Sequence, residues 1–208
     1  MEHAATGAPL TNAQHRTAAR LESFGDIVYG FTLVLMASRL RAPEKPEDLV
    51  AELPEFILFL VAFGILCVLW YRHHVIFRDV FVPDVLSTVV NFLVLADIAI
   101  FPYPLDLYFK FGVRSAIALA AYALVLGCLN VFVAVLNFRG LQLRGSTIEP
   151  QVRTRTLRTA TRSAILGLVL LACSFAYPFG LQTMGYVMLI GVCCGLGGYG
   201  IWRRVRHA

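Results

Sequence analysis

Arg20-Leu-Glu-Ser-Phe24-Gly-Asp26 runs without a break into Ile27-Val-Tyr-Gly-Phe31-Thr-Leu-Val34-Leu-Met-Ala-Ser38, a charged opening on an apolar stretch. A carboxylate inside a membrane span is costly, so it marks either a function or a fixed buried pairing. Only twelve residues separate Asp26 from Arg39, about 18 Å of helix at 1.5 Å per residue. A hydrocarbon core is about 30 Å thick. A helix built on this stretch therefore belongs inside a protein assembly, with its ends in water or against polar partners.

The rest of the chain supplies that assembly. Its 208 residues are 58% hydrophobic and 15% charged, with a mean hydropathy of +0.71; soluble domains carry roughly 25% charged residues. The fold class expected is all-α, a polytopic membrane protein with six transmembrane helices at about 21–40, 54–77, 85–104, 115–137, 163–180 and 184–202. Residues 1–20 form an N-terminal cytoplasmic segment, 21–202 a single six-helix domain, and 203–208 a basic cytoplasmic tail. The polar first 23 residues hold no apolar core of a cleaved signal peptide. Thirteen of the 18 basic residues fall on the side shared by both termini, including Arg72, Arg78, Arg139, Arg144 and Arg153 to Arg162. Basic loops stay cytoplasmic, so both termini are expected inside. The other side carries Glu44, Glu47, Asp48, Glu52 and Glu55.

Five cysteines lie within apolar runs and read as packing residues, without the spacing of a metal site. No cofactor and no metal is expected. The arginines of 139–162 read as a topology anchor against anionic lipid headgroups, in preference to a nucleic-acid surface. Gly197-Gly198-Tyr199-Gly200 lacks the preceding Thr-Val and the re-entrant loop of a carbonyl filter; with Gly191 and Gly195 it reads as a helix-packing surface.

At 100° per residue, Arg20, Phe24, Ile27, Phe31, Val34 and Ser38 share one stripe of the first helix. Asp26, Gly30, Leu33 and Ala37 share another, and its small residues suggest a packing seam. Periodicity alone leaves the first stripe two readings: plain bundle core, or an apolar constriction on an axis shared by several copies. The second span ends in Trp70-Tyr-Arg72-His73-His74-Val-Ile-Phe77. Adjacent histidines point apart on a helix and chelate poorly, but one of them can pair with Asp26 at the same depth. In the third span Asn91 suits an interhelical hydrogen bond. Asp97 is a possible intramembrane titrating group, to be paired with Arg39 or Arg114, set in a wet cavity, or used to shuttle protons. Asn130 and Asn137 share a face of the fourth span and read as interhelical glue.

Together these residues resemble the transmembrane protein 175 family, the endosomal and lysosomal potassium channels and their bacterial homologues. The R-x-x-x-F-S-D opening matches Arg20, Phe24 and Asp26. The second-span Trp, His-His and Phe pattern matches Trp70, His73, His74 and Phe77. The third-span Asn followed by F-P-F matches Asn91 and Phe101-Pro102-Tyr103. The resemblance implies a homotetrameric cation channel, potassium-preferring, in a bacterial plasma membrane. Ile27, Phe31, Val34 and Ser38 would line the pore, and Arg20, Phe24, Asp26, Trp70, His73, His74 and Asn91 would form the network bracing the first helix. It further implies potassium and other monovalent cations as partners, with proton permeation in the lysosomal members. Here the motif serine is Gly25, the pore threonine is Val34, and an acidic residue at the helix end is Arg39. A proton-coupled transporter built on Asp97, Asp26 and His74 and a non-conducting scaffold on the same fold remain the alternatives. No nucleophile–base pair suggests an enzyme, and no nucleic-acid partner is expected.

Overall fold

The structure is a computed structural model that describes residues 10–40, 45–111 and 115–180. Six α-helices occur among them: α1 (Asn12–Ala37), α2 (Leu49–Asp79), α3 (Val85–Ile100), α4 (Pro102–Phe111), α5 (Ala116–Arg144) and α6 (Pro150–Phe175). Short 3-10 turns cover Pro46–Asp48, Gly145–Thr147 and Tyr177–Phe179. The described residues are all-helical, without strands.

Each boundary has a local cause. Thr11 and Gln14 form a reciprocal capping box, the Gln14 amide donating to Thr11 Oγ1 at 3.3 Å and the Thr11 amide to Gln14 Oε1 at 2.9 Å. Two orphan amides are thereby satisfied, so α1 starts nine residues before the span expected at 21–40. Asp84 caps α3, accepting from the Ser87 amide at 3.0 Å, and Arg139 of α5 reaches the same carboxylate at 2.9 Å. Burial alone would raise this carboxyl; the bonds from Ser87 and Arg139 together hold it below the ordinary value. Pro102 has no amide to donate, so α3 closes in a tight turn (Phe101 amide to Ile98 oxygen, 3.2 Å) and α4 begins at the proline. The helix expected at 85–104 is thus two helices, although 85–107 remains one apolar segment.

Among the described residues, four segments are long and apolar enough to cross a membrane: Glu55–Asp79, Val85–Leu107, Ala116–Arg144 and Pro150–Phe175. The helix α1 is not among them, because Arg20, Glu22 and Asp26 interrupt its apolar run. The spans expected at 54–77 and 115–137 are longer, reaching Asp79 and Arg144; α5 runs through Gly140 and stops at Gly145, whose φ of 49° does not continue a helix. The helix expected at 163–180 begins at Pro150, a residue whose fixed φ suits a first helical position. It ends at Phe175, so Ala176–Gly180 lie beyond it in a turn. The expected span 184–202, the tail 203–208 and the glycine cluster at 191–200 lie outside the described residues.

The most extensive helix pairing is between α5 and α6. A Cβ at Gly167 would meet the Gly127 carbonyl and the Val131 amide at 2.9 Å, and one at Gly127 the Leu171 amide at 3.0 Å. Glycine at both positions lets the two backbones touch. Against this hairpin lies a core from α1, α2, α3 and α5, including Tyr29, Leu66, Phe77, Val94, Ile98, Leu129 and Leu136. Asn130 accepts from Arg72 of α2 at 3.3 Å and so joins two helices. Asn137 instead turns its amide onto its own helix, to the Val133 oxygen at 2.8 Å, which corrects its reading as interhelical glue.

Candidate pore helix and its bracing network

Helix α1 buries one stripe, Gly25, Tyr29, Thr32 and Met36, which repeats every three to four residues. Thr32 explains why a polar residue sits there: its hydroxyl lies 2.9 Å from the Val28 oxygen of its own helix and 3.4 Å from the Ile98 oxygen of α3. This corrects the expected packing seam at Asp26, Gly30, Leu33 and Ala37. Gly30 has nothing within 4 Å of its Cβ position, and Asp26 and Ala37 are exposed. Small size suggested contact, but the contact requires Gly25, the residue that faces a neighbouring ring.

With that stripe inward, the opposite side of α1 is bare. Phe24 is 46%, Ile27 55%, Phe31 67% and Val34 63% exposed in the single chain. Ser38 is also exposed and returns its hydroxyl to the Leu35 oxygen at 2.9 Å. Four large apolar side chains in register on one helix form a surface that water does not favour.

The polar residues of α1 meet α2 in an antiparallel ladder. Trp70 Nε1 donates to Asp26 Oδ1 at 2.8 Å, and His74 Nδ1 lies 2.8 Å from Glu22 Oε1. The Trp70 and His74 rings stack with centroids 5.9 Å apart. A histidine was expected to pair with Asp26; His74 takes Glu22, and the indole takes Asp26. The signal was present in the sequence, since Glu22 and Asp26 are four apart, as are Trp70 and His74. Equal i,i+4 spacing on antiparallel helices pairs them in reverse order.

His73 points the other way, into the core. It is 2% exposed and its Nε2 lies 2.8 Å from Oδ1 of Asn91, which is 0% exposed. A carbonyl oxygen only accepts, so Nε2 carries the proton. The ring is fixed further by Phe77 (centroids 4.8 Å) and Tyr29 (5.8 Å). Phe24 reaches α3 through an edge contact with Phe92 at 6.1 Å. Arg20 is exposed and makes no hydrogen bond or ion pair with the described residues. Arg72, expected from the sequence only as a topology-setting charge, donates to Asn130 and to Ser163 Oγ and ties α2 to α5 and α6.

At the C-terminal end of α1, Arg39 forms an ion pair with Asp106 of α4. Arg39 is therefore not the partner of Asp97, and Arg114 lies outside the described residues. Asp97 is half-buried, and its Oδ2 is buried without a hydrogen-bond partner among the described residues. A cavity of about 470 Å³ opens at this end between Met36, Arg39, Glu52, Glu55, Asp106 and Lys110. Among the described residues no group of three or more His, Cys, Asp or Glu is placed to hold a metal.

Known proteins bear on this arrangement. Residues 20–102 match the family described as "Endosomal/lysosomal potassium channel TMEM175", a stretch that begins at Arg20 and ends at Pro102. A potassium channel of Marivirga tractuosa is 28% identical over 103 residues, which are 50% of this chain and 42% of that protein. The match thus spans less than half of that relative's length. A potassium channel of Streptomyces collinus is 25% identical over 84% of this chain and 82% of its own. Among solved structures, a variant of the potassium channel MtTMEM175 bound to a nanobody fusion superposes with a TM-score of 0.71 at 17% identity, over 98% of both chains. A potassium-selective TMEM175 homologue from Chamaesiphon minutus superposes with a TM-score of 0.62 at 21% identity, over 87% of this chain and 97% of that one. The resemblance carried by three short motifs is therefore borne out: residues 20–102 carry the sequence pattern of the TMEM175 family, and the described helices have the fold of solved TMEM175 channels.

Proposed function

We propose that this chain is a subunit of a potassium-preferring cation channel in a bacterial plasma membrane, with α1 of each of four subunits lining the pore. The observation that carries the reading is the bare apolar stripe Phe24, Ile27, Phe31 and Val34 on a helix otherwise braced through Trp70–Asp26, His74–Glu22 and Phe24–Phe92. A lipid-facing helix has no use for such bracing, and α1 is too interrupted by charge to span lipid alone. Several copies meeting on one axis would cover the stripe and set a narrow, dewettable ring at Phe31 and Val34. The exposed Asp26 edge of α1 would then lie toward the neighbouring subunit. Lipids would contact the outward apolar residues of α2, α3, α5 and α6. The names of the relatives, all potassium channels and none an enzyme, favour the same reading.

Reconstituted protein recorded in a bilayer under a potassium/sodium bi-ionic gradient tests it. A reversal potential favouring potassium supports the proposal; unselective currents retain the pore and remove the potassium label. Silence from a folded oligomer refutes conduction. One observation favours a second reading, a proton-coupled transporter: the unpartnered buried Asp97 oxygen. That reading requires pH-driven flux that Asp97→Asn abolishes, at turnover far below channel rates.

A further inference from the structure

The uncovered face of α1 does not stop at its apolar residues. At 100° per residue, Arg16 and Arg20 fall on the stripe that continues through Phe24, Ile27, Phe31 and Val34, and both are exposed. The opposite face continues as well: Ala18 and Leu21 pack against the core, in line with Gly25, Tyr29, Thr32 and Met36. One rotation of the helix therefore holds from its first turns to Met36, and it turns the two arginines the same way as the apolar stripe. Arg20 lies about 6 Å along the axis from Phe24, and Arg16 about 6 Å further toward the N-terminus.

No acid offsets these two charges. Neither guanidinium makes a hydrogen bond or ion pair with the described residues. From Thr11 to Leu21 the sequence contains no Asp or Glu. The next acids on α1 face α2, where Glu22 lies 2.8 Å from His74 Nδ1 and Asp26 accepts from Trp70 at 2.8 Å. The helices packed on α1 are α2, α3 and α4. At this end of them, Asp79 is paired with Arg78 and Asp84 with Arg139. Glu149 precedes α6, which is not among the helices packed on α1.

We propose that Arg16 and Arg20 form a positive collar at the mouth surrounded by the N-terminal ends of α1, and that this collar makes cation conduction rectify. The inference rests on the pore reading given above: copies of α1 that turn Phe31 and Val34 to a shared axis turn Arg16 and Arg20 to it too. The positive ends of the α1 dipoles add to the same field. Such a field depletes cations at that mouth. The other end of α1 opens on Glu52, Glu55 and Asp106 beside Arg39 and Lys110, where acids outnumber bases and no depletion arises. Cations entering past the collar are therefore scarcer, and the current they carry is the smaller.

The test is current recording in excised inside-out patches from cells expressing the full chain, with equal potassium chloride on both faces. With the termini cytoplasmic, outward current is expected to be several-fold below inward current at about 0.01 M salt, where the Debye length is about 30 Å, and to match it near 1 M, where that length is about 3 Å. Arg16 is exposed and lies outside the three motifs, so its variants should fold. Arg16→Lys should keep the rectification, Arg16→Gln weaken it and Arg16→Glu abolish it, since each glutamate cancels one Arg20. Rectification that is equal in wild type and Arg16→Glu overturns the collar and leaves the pore standing. So does wild-type current that is linear, or larger outward, at low salt. Absence of current from every protein overturns the pore reading and the collar with it.

Discussion

Replacing Gly25 by serine, the residue the family motif has at this place, should destabilise this protein. A Cβ built on Gly25 would lie 2.9 Å from Cε1 of His73 and 3.6 Å from Cδ2 of Leu95. The imidazole has little freedom to retreat, being 2% exposed, bonded to Asn91 at 2.8 Å, and set against Phe77 and Tyr29. Serine improves helix propensity over glycine by about 0.5 kcal/mol. Inserting atoms into a packed site costs about 1–3 kcal/mol, and pushing the ring off Asn91 forfeits a hydrogen bond of about 1 kcal/mol. Packing wins, and Gly25→Ser is expected to cost about 1.5–3.5 kcal/mol. At about 2–4 °C per kcal/mol for a chain of this length, the melting temperature of detergent-solubilised protein should fall by roughly 8 °C. In an Asn91→Ala background the ring has room and no bond to lose, so the same substitution should cost about 1 kcal/mol less. A Gly25→Ser protein that melts higher than the wild type refutes the reasoning. So does an equal penalty in both backgrounds, which would mean that His73 does not transmit the clash.

Phe31→Ala should raise single-channel conductance and weaken selectivity by widening the apolar ring, read in the bilayer recording; unchanged currents remove Phe31 from the pore. Asp106→Asn should leave Arg39 uncompensated at the C-terminal end of α1 and lower cation conductance several-fold at 0.01 M salt, where the Debye length is about 30 Å, with convergence near 1 M. Equal ratios at both salt concentrations would place the Arg39–Asp106 pair away from the ion path. Asp84→Asn should keep the α3 cap, since asparagine caps as well as aspartate, and cost about 1 kcal/mol by removing the charge facing Arg139. The folded-state carboxyl is held below its unfolded value, so the stabilisation is complete above the unfolded value and disappears as pH falls through the folded one. The difference between wild type and variant should therefore vanish in acid; a difference constant from pH 7 to pH 2 contradicts it.

Much of this protein is legible without coordinates, because hydropathy and charge are local. Long apolar runs named the spans at 54–77 and 115–137, and the cost of intramembrane charge singled out Asp26 and Asp97. Three short motifs named the family, since each is a fixed spacing of unusual residues along one helix. Helix ends were less legible. The Thr11–Gln14 box and Pro150 are start signals in plain view, yet both lie in polar sequence where hydropathy has nothing to measure, and Pro102 divides α3 from α4 inside a continuous apolar run.

Side-chain partners belonged to the tertiary structure. Whether His73 or His74 faces the core depends on the rotation of α2 about its axis, and α2 is apolar on every side, so periodicity offers no preference. The crossing of α1 on α2 pairs Asp26 with Trp70 and Glu22 with His74, and turns His73 toward Asn91. The same crossing selects Gly25, Tyr29, Thr32 and Met36 as the buried stripe over the more apolar Ile27, Phe31 and Val34. Hydrophobicity alone would have buried the second set. Hydrogen bonds to Trp70, His74 and the Ile98 carbonyl go with the observed rotation, and the apolar stripe is left uncovered within the single chain.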